Sequence, residues 1–177
     1  MAGGSLANVR RVRGTLIKDP ANTTAPDYGG TVMGLCNKFY FDTGIRYGRN
    51  YYDEIGRTGE VFAVQKDALF SFALRDFDED ALEAFFPNYS GSLINVGDGQ
   101  GPMAASKGAE YLFAADDATN APSVRLLNAV PLIDVNGQAL RFTFRSELQV
   151  MVTLLALPSS VSNGKCAEIG LLANLGI

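Results

Sequence analysis

The sequence has no histidine among its 177 residues, and this absence removes whole classes of active site. Histidine is the commonest general base and a frequent metal ligand, so Ser–His triads and imidazole-bound metals are excluded. The two cysteines, Cys36 and Cys166, lie too far apart in the sequence to form the CxxC pair that signals zinc or redox chemistry. The sequence therefore predicts a protein that is not an enzyme, with no catalytic, cofactor-binding or metal-binding residues.

Long apolar runs are missing as well. The longest, Val150 to Leu157, has the length of a strand, whereas a membrane helix needs about 18 apolar residues. The N-terminal stretch MAGGSLANVRRVRG has no apolar core of the kind that a signal peptide requires. These observations predict a chain that folds in a cytoplasm without contacting a membrane, with both cysteines reduced and buried.

Two segments imitate ligand-binding motifs without completing them. Residues 97–101 are rich in glycine, but no Gly-Lys-Ser/Thr follows and no helix begins there, which disfavours a phosphate-binding loop. The alternating aspartates of residues 76–80 imitate the start of a calcium loop, yet Ala81 and Pro87 occupy the positions that need glycine and a bidentate glutamate. Capping of a helix explains these acids better.

Aromatic residues and glycine are plentiful, with 11 Phe, 7 Tyr and 19 Gly. This composition favours strands joined by turns, and 47% hydrophobic with 19% charged residues is typical of a globular protein. The length predicts one domain over residues 1–177. Its expected appendages are an N-terminal arm at 1–8, a long loop at 42–59 and a C-terminal tail at 159–177.

The stretch from residue 60 to residue 87 predicts a strand that runs directly into a short helix. The strand pattern extends from Val61 to Leu74, and within it Phe70 and Phe72 alternate with smaller residues, as in a strand with one buried face.

The helix is predicted over residues 78–86, where apolar residues take one side and acids mostly the other. Asp78 is the expected N-cap, Phe77 and Leu82 are placed to form a hydrophobic staple, and Pro87 ends the helix.

The segments before this stretch predict a strand, a loop, a strand and a hairpin. Residues 9–18 interleave arginines with apolar residues, which favours an edge strand with a charged outer face. A nucleic-acid patch is a weaker alternative, because the segment lacks aromatic partners and the whole chain has a pI near 4.8. A loop at 19–30 and a strand at Thr31–Phe41 follow. Residues 42–59 combine tyrosine with arginine, which are enriched in protein contacts, and predict a long hairpin arm that docks on a neighbour. An ordinary surface loop remains the alternative.

The segments after the helix predict further strands. Tyr89–Val96 and Glu110–Ala115 are short candidates. Asn136-Gly137 signals a hairpin between an extended segment at 123–135 and one long alternating strand at 140–157. A strand of that length either bends between two sheets or extends beyond its own domain. The apolar end of the tail is expected to pack on its own core or on another subunit.

Charge is distributed unevenly along the chain. Residues 1–57 carry eight Lys/Arg and five Asp/Glu, residues 58–120 carry three and eleven, and residues 121–177 carry four and three. The differences of +3, −8 and +1 sum to the net charge of −4. Solvation of different faces explains this asymmetry, and so does a subunit that presents a basic end to an acidic end of its copy.

The order of these elements resembles that of bacteriophage tail tube proteins (major tail proteins) and, more loosely, of the tube proteins of contractile tails and type VI secretion. The resemblance covers about residues 5 to 160. It lies in the charged first strand, the arm at 42–59, the strand-then-helix unit GEVFAVQKDALFSFALRDFDEDALEAFF and the C-terminal pattern VRLLNAVPLIDVNGQALRFTFRSELQVMVTLLALP.

This resemblance implies a mainly β fold, a β-sandwich or barrel with one flanking helix and a long hairpin arm. Copies would form hexameric rings that stack into a hollow tube, with the arm and the termini bridging between rings. The implied partners are copies of the chain itself, a tape measure protein, a tail terminator and distal tail or baseplate proteins. DNA would cross the lumen without specific binding, and the protein would be made in the bacterial host cytoplasm and end in the virion tail.

Three alternatives remain beside the tail tube subunit. The first is another virion structural protein, such as a tail terminator, a neck protein or a head decoration protein. The second is a lipocalin-like barrel with an apolar ligand cavity. An enzyme is the third and least favoured.

Overall fold

The computed structural model describes residues 13–42, 46–52, 57–65, 67–85, 89–90, 93–94, 108–132, 141–144, 148–159 and 163–177. Its strands are β1 (Gly14–Lys18), β2 (Thr31–Asp42), β3 (Arg46–Tyr52), β4 (Arg57–Gln65), β5 (Ala68–Arg75), β6 (Tyr89–Ser90), β7 (Leu93–Ile94), β8 (Ala109–Ala115), β9 (Ser123–Pro131), β10 (Arg141–Phe144), β11 (Leu148–Ala156) and β12 (Ala167–Gly170). Helix α1 (Glu79–Phe85) follows β5, and a 3-10 helix (Leu172–Asn174) follows β12.

Six of these strands close into a β-barrel. They are hydrogen-bonded in the order β11-β5-β2-β1-β8-β9, and β9 pairs back to β11 through Ala129–Ala156, Val130–Leu155 and Pro131–Leu154. The pairings around the ring are antiparallel. The structure thus confirms the predicted fold class, a mainly β protein with a barrel and one short helix.

The barrel interior is filled by side chains. Strand β5 places Phe70, Phe72 and Leu74 inside, and its partner β11 places Val152 and Leu154 there, as the period-2 pattern predicts. Aromatic rings occupy the centre with centroid separations of 4.1 to 6.4 Å. These rings belong to Phe39, Phe41, Phe70, Phe72, Phe85, Tyr111 and Phe113. In the described part of the chain this packing gives the lipocalin-like alternative no support, because side chains occupy the interior where a ligand would bind.

Helix α1 packs its apolar face against the same core. It begins at Glu79, and the Asp78 carboxylate accepts the backbone N–H of Ala81 at 3.2 Å, which confirms the predicted N-cap. Phe85 is 1% exposed, and its ring lies 6.2 Å from Phe72 and 5.9 Å from Tyr111.

Two other details of the helix prediction have different outcomes. Phe77 and Leu82 are both partly buried against the barrel core, but a direct contact between them stays a prediction. Pro87 lies outside the described residues.

Strand β1 corrects the prediction of an edge strand. It lies within the barrel wall, paired with β2 on one side and with β8 on the other. Leu16 and Ile17 are both 0% exposed, so both faces of the strand are covered. A charged outer face was expected from the arginines, but Arg13 is exposed just before the strand begins, and residues 1–12 lie outside the described residues.

The C-terminal segment also corrects the sequence prediction. The predicted single strand over residues 140–157 is two antiparallel strands, β10 and β11, with Phe144 paired to Leu148 and Arg141 paired to Met151. The chain therefore reverses between residues 144 and 148. Positions of equal parity, such as 142 and 150, are opposite each other, so the period-2 alternation continues through the reversal and conceals it. The predicted turn at Asn136-Gly137 lies outside the described residues.

Two further strands are also divided in the structure. The pattern from Val61 to Leu74 belongs to β4 and β5, which lie in different sheets. The predicted strand at Tyr89–Val96 contains β6 and β7, which pair with each other. The predictions for Thr31–Phe41 and Glu110–Ala115 are confirmed by β2 and β8.

The two cysteines are free thiols. Cys36 is 2% exposed inside the barrel, as predicted, and burial raises its pKa well above the ordinary value. Cys166 is only half-buried. Within the described ranges, no helix has the length and apolar character to cross a membrane.

Candidate assembly surfaces

The predicted arm is a β-hairpin in the structure. Strands β3 and β4 pair antiparallel from Tyr52–Arg57 at the tip to Arg46–Gln65 at the base, in a two-stranded sheet separate from the barrel. The hairpin is longer than the predicted loop at 42–59, because the returning strand continues to Gln65. Its docking on a neighbour stays a prediction.

A second hairpin, β10–β11, leaves the barrel at the other end of β5. Asp42, which precedes the arm, pairs with Leu69 at the start of β5. Val150, which follows the reversal of β10–β11, pairs with Leu74 near the end of β5. The two hairpins therefore extend from opposite ends of the same barrel strand.

The unpaired sheet margins are not where the sequence predicts them. Strand β11 is paired along both sides, with β5 on one and with β9 and β10 on the other, so it leaves no open margin for a neighbouring copy. In the part of the chain that the structure describes, β10 pairs with β11 alone and β12 pairs with β9 alone. These two short strands carry the open margins of the eight-stranded sheet.

The large exposed apolar side chains of the described residues fall into two groups. The β2 patch consists of Val32, Leu35 and Tyr40, and the strap patch consists of Ile169 and Leu171. In the closed order of six strands, β2 and β9 are three strands apart in either direction, and β12 is attached to β9. The two patches therefore lie on opposite walls of the barrel.

The β2 patch belongs to the outer face of the barrel. Val32 is paired with Ile17, and Tyr40 is paired with Ser71. Ile17 and Ser71 directly follow the inward-facing Leu16 and Phe70, so they and their partners face outward. Tyr40 is 61% exposed, an unusual degree for a large aromatic side chain on a strand. The three exposed side chains make the outer face of β2 a candidate surface for contact with other molecules.

The C-terminal segment, residues 167–177, forms a strap across the outside of the barrel. Strand β12 adds to β9, and the chain then turns through the 3-10 helix so that Leu172 and Leu175 become buried. They join a second apolar cluster whose other buried members are Ile17, Tyr28, Leu112 and Ala114. Of the two predicted positions for the tail, the structure thus confirms the one on the chain's own core.

Arg125 on β9 connects this strap to the barrel. Its Nε donates to Glu110 Oε1 at 2.6 Å, and its Nη1 lies 3.4 Å from Glu168 Oε2 on β12 and donates to the carbonyl oxygen of Gly176. Glu168 also accepts the N–H of Gly176 at 3.2 Å and approaches Lys165 at 3.5 Å. One guanidinium thus holds both the beginning and the end of the strap.

The electrostatics of this network favour its charged form. The hydrogen bond that Arg125 donates to Glu110 raises the pKa of the Arg125 guanidinium, against the smaller opposing effect of partial burial. Partial burial on its own would raise the pKa of the Glu168 carboxyl, but the Gly176 N–H, Arg125 and Lys165 together hold that pKa below its usual value. Both side chains therefore stay charged at neutral pH.

No sequence pattern indicates this network. Glu110 and Glu168 are 15 and 43 residues from Arg125, and no motif has that spacing. Among the described residues, no three His, Cys, Asp or Glu side chains come together to hold a metal ion. The acids of helix α1, including Asp78, Asp80 and Glu83, are exposed.

No model of a protein family matches the chain, and no curated protein matches it. Among solved structures, the chain is similar to the tube-terminating cap of the anti-feeding prophage, determined by cryo-electron microscopy. The two chains are 11% identical with a TM-score of 0.46, over 97% of this chain and 95% of the other. Identity at this level transfers no residue roles, so each surface is interpreted from this chain's own contacts.

Proposed function

We propose that the chain is a structural subunit of a phage-type tail tube, which assembles with its own copies into stacked rings and has no enzymatic activity. The observation that carries this proposal is the placement of extensions and apolar patches on opposite sides of one filled barrel. The order of elements in the sequence, which resembles that of tail tube proteins, supports it independently.

Contacts along the tube would come from the two hairpins. The arm β3–β4 leaves one end of β5 and the β10–β11 hairpin leaves the other, so one copy can reach a neighbour above it and a neighbour below it. A contact between two different surfaces repeats without limit when the copies are stacked, and this geometry produces a tube.

Contacts around a ring would come from the two apolar patches. The β2 patch and the strap patch lie on opposite walls, so each copy can offer one patch to its left neighbour and the other to its right neighbour. Such a head-to-tail contact closes into a ring when the rotation per subunit divides a full turn. A hexamer is the ring size that the resemblance implies.

A DNA conduit would have to be enclosed by several copies. Phe70, Phe72 and Phe113 fill the interior of the individual barrel, so nothing passes through a single subunit. The proposed partners are therefore other copies in the ring and, at the ends of the tube, a terminator and distal tail proteins. The tape measure protein and then DNA would occupy the shared lumen of a virion tail.

Light scattering on size-exclusion fractions of the purified chain tests this function. A tail tube subunit gives particles whose mass grows with protein concentration. A terminator gives one fixed mass equal to a single ring, and this result would replace the tube proposal with the terminator alternative. A monomer at every concentration would reject both.

The ring contact has a separate test in two matched variants. Leu35→Asp disables the β2 patch and Ile169→Asp disables the strap patch, and each variant alone should form no rings. In their mixture the two variants should associate one to one side by side, because each partner retains the patch that the other has lost. Thr23→Asp, at an exposed loop residue outside both patches, is the control and should assemble normally. Normal assembly of either patch variant would reject this contact.

A further inference from the structure

The barrel is complete without the C-terminal strap. The six strands that close the ring are paired with each other, and β12 is not among them. Strand β12 adds only four residue pairs to β9, from Ala167–Leu126 to Gly170–Ser123. Removal of the strap from the wall would therefore leave every ladder of the closed barrel intact.

The strap covers an apolar face that would otherwise be in water. Ile17 and Leu112 are 0% exposed on the outer side of β1 and β8, and the strap residues that pack in their cluster are Leu172 and Leu175. On the same outer face, Val32 is paired with Ile17 and is itself exposed. Without the strap, the covered face would be exposed next to Val32 of the β2 patch.

The connection to the strap is a local turn. Ser159 donates its backbone N–H to the carbonyl oxygen of Lys165 at 2.9 Å, and Gly164 donates to Ser159 at 2.9 Å. These bonds lie within the connecting segment. The last bonds to β9 on either side of it are Leu157 to Asn128 and Leu127 to Cys166. Opening of residues 167–177 can therefore stop at this self-bonded segment.

Among the described residues, Arg125 joins the barrel to both ends of the strap. Its side chain is 14% exposed, so its bonds to Glu110 and Glu168 are partly shielded from water. Lys165 contacts the same Glu168 but is 62% exposed and 3.5 Å away, which makes it a weak surface contact. A charged hydrogen bond that is shielded from water contributes more than one at the surface.

We propose that residues 167–177 are a latched strap, which opens as a unit while the barrel stays closed, and that Arg125 is the positioning residue that keeps it shut. Opening uncovers the apolar face of β1 and β8 beside the β2 patch. This device does not depend on the tail tube function, because it rests on contacts within one chain.

Hydrogen exchange read by mass spectrometry on the full chain tests the latch. In the wild type, residues 167–177 should exchange faster than the barrel strand at 68–75. In Arg125→Gln the strap should exchange about 10- to 100-fold faster, as expected for the loss of charged hydrogen bonds, while residues 68–75 keep the wild-type rate. Lys165→Gln is the matched control, and its strap should change less than about 3-fold.

A second readout covers the case in which Arg125→Gln does not fold. In the wild-type chain, the strap should lose protection at a lower urea concentration than the one at which the buried thiol of Cys36 becomes reactive. Simultaneous loss of strap and barrel protection in urea would overturn the proposal. Equal effects of Arg125→Gln and Lys165→Gln on strap exchange would overturn the role of Arg125.

Discussion

Two apolar clusters lie on the two faces of the same strands, and they are closed off from water in different ways. Leu16 points into the barrel and Ile17, the next residue, points out, and both are fully buried. The inner cluster is enclosed by the barrel wall and helix α1, and Ala167 at the start of the strap also packs against it. The outer one is enclosed by Tyr28 of a loop and by two leucines of the strap, which Arg125 fastens.

The inner cluster therefore holds the fold together, whereas the outer cluster can open without unfolding the barrel. Opening the inner cluster requires breaking ladders of the closed ring, which is a global event. Opening the outer cluster requires only the release of a short terminal strand and one ion network, so it belongs to the low end of local stability. Substitutions in the inner cluster should therefore destabilise the whole protein. Substitutions in the outer cluster should have smaller effects that are confined to the strap.

The largest effect is expected from Phe85→Ala in the inner cluster. Phe85 is 1% exposed and contacts Phe72 and Tyr111, so its truncation should cost about 3–5 kcal/mol in the free energy of unfolding. Urea denaturation measures this loss. Phe77→Ala is the control, because Phe77 is only partly buried against the same core, and equal losses for both variants would contradict the packing of α1.

A smaller effect is expected from Leu172→Ala in the strap. The lost burial should cost about 2 kcal/mol, at the low end for a leucine because a terminal cover can relax. Hydrogen exchange should show the loss in residues 167–177 and not in the barrel. Addition of Leu175→Ala should add little once the strap is open, since an opened strap has no further contacts to lose. Exposure of the barrel core in the double variant would contradict the separation of the two clusters.

Acid should weaken the strap before it affects the inner cluster. The pKa of Glu168 is lowered from an ordinary value of 4.5, so its stabilising contribution is complete above about pH 4.5 and is lost as the pH falls through the lowered folded value. The network has two other charged groups. Glu110 binds the same Arg125 side chain as Glu168, and Lys165 faces Glu168. Protection factors of the strap, in which each exchange rate is divided into the intrinsic rate at the same pH, measure this loss from pH 7 to pH 3, and Glu168→Gln should abolish its share of the pH dependence. An unchanged pH profile in that variant would contradict the assignment.

The smallest effect is expected at the outer face of β5 and β11. The hydroxyls of Ser71 and Thr153 lie 2.8 Å apart on paired residues, and Ser71→Ala should cost about 0.5–1.5 kcal/mol. In a double-mutant cycle with Thr153→Val, the two losses should be less than additive. Strict additivity would show that the pair does not interact.

The sequence predicted local features well, because their causes are local. The helix at Glu79–Phe85 follows from Asp78 and from the placement of apolar residues within one turn or two, and the structure shows that same cap. The alternation in β5 likewise gave the inward face of the strand correctly. The tyrosine and arginine residues at 42–59 predict an arm there, and the structure shows a hairpin.

Features that depend on pairing between residues far apart in the sequence could not be predicted from local patterns. The reversal between β10 and β11 leaves the parity of the pattern unchanged, so alternation alone gives no sign of it. The position of β1 inside the wall depends on β8, about a hundred residues later. The Arg125 network likewise joins three strands, and none of its partners is a neighbour in the sequence.

Negative-stain microscopy of the full chain beside a variant without residues 47–57 tests self-assembly most directly. The wild-type chain should form rods, and the variant without most of its arm should fold but give only single rings or short stacks. Wild-type particles that stay monomeric at high concentration, or rods of normal length from the deletion variant, would contradict the proposal that copies of this barrel stack into a tube through the arm.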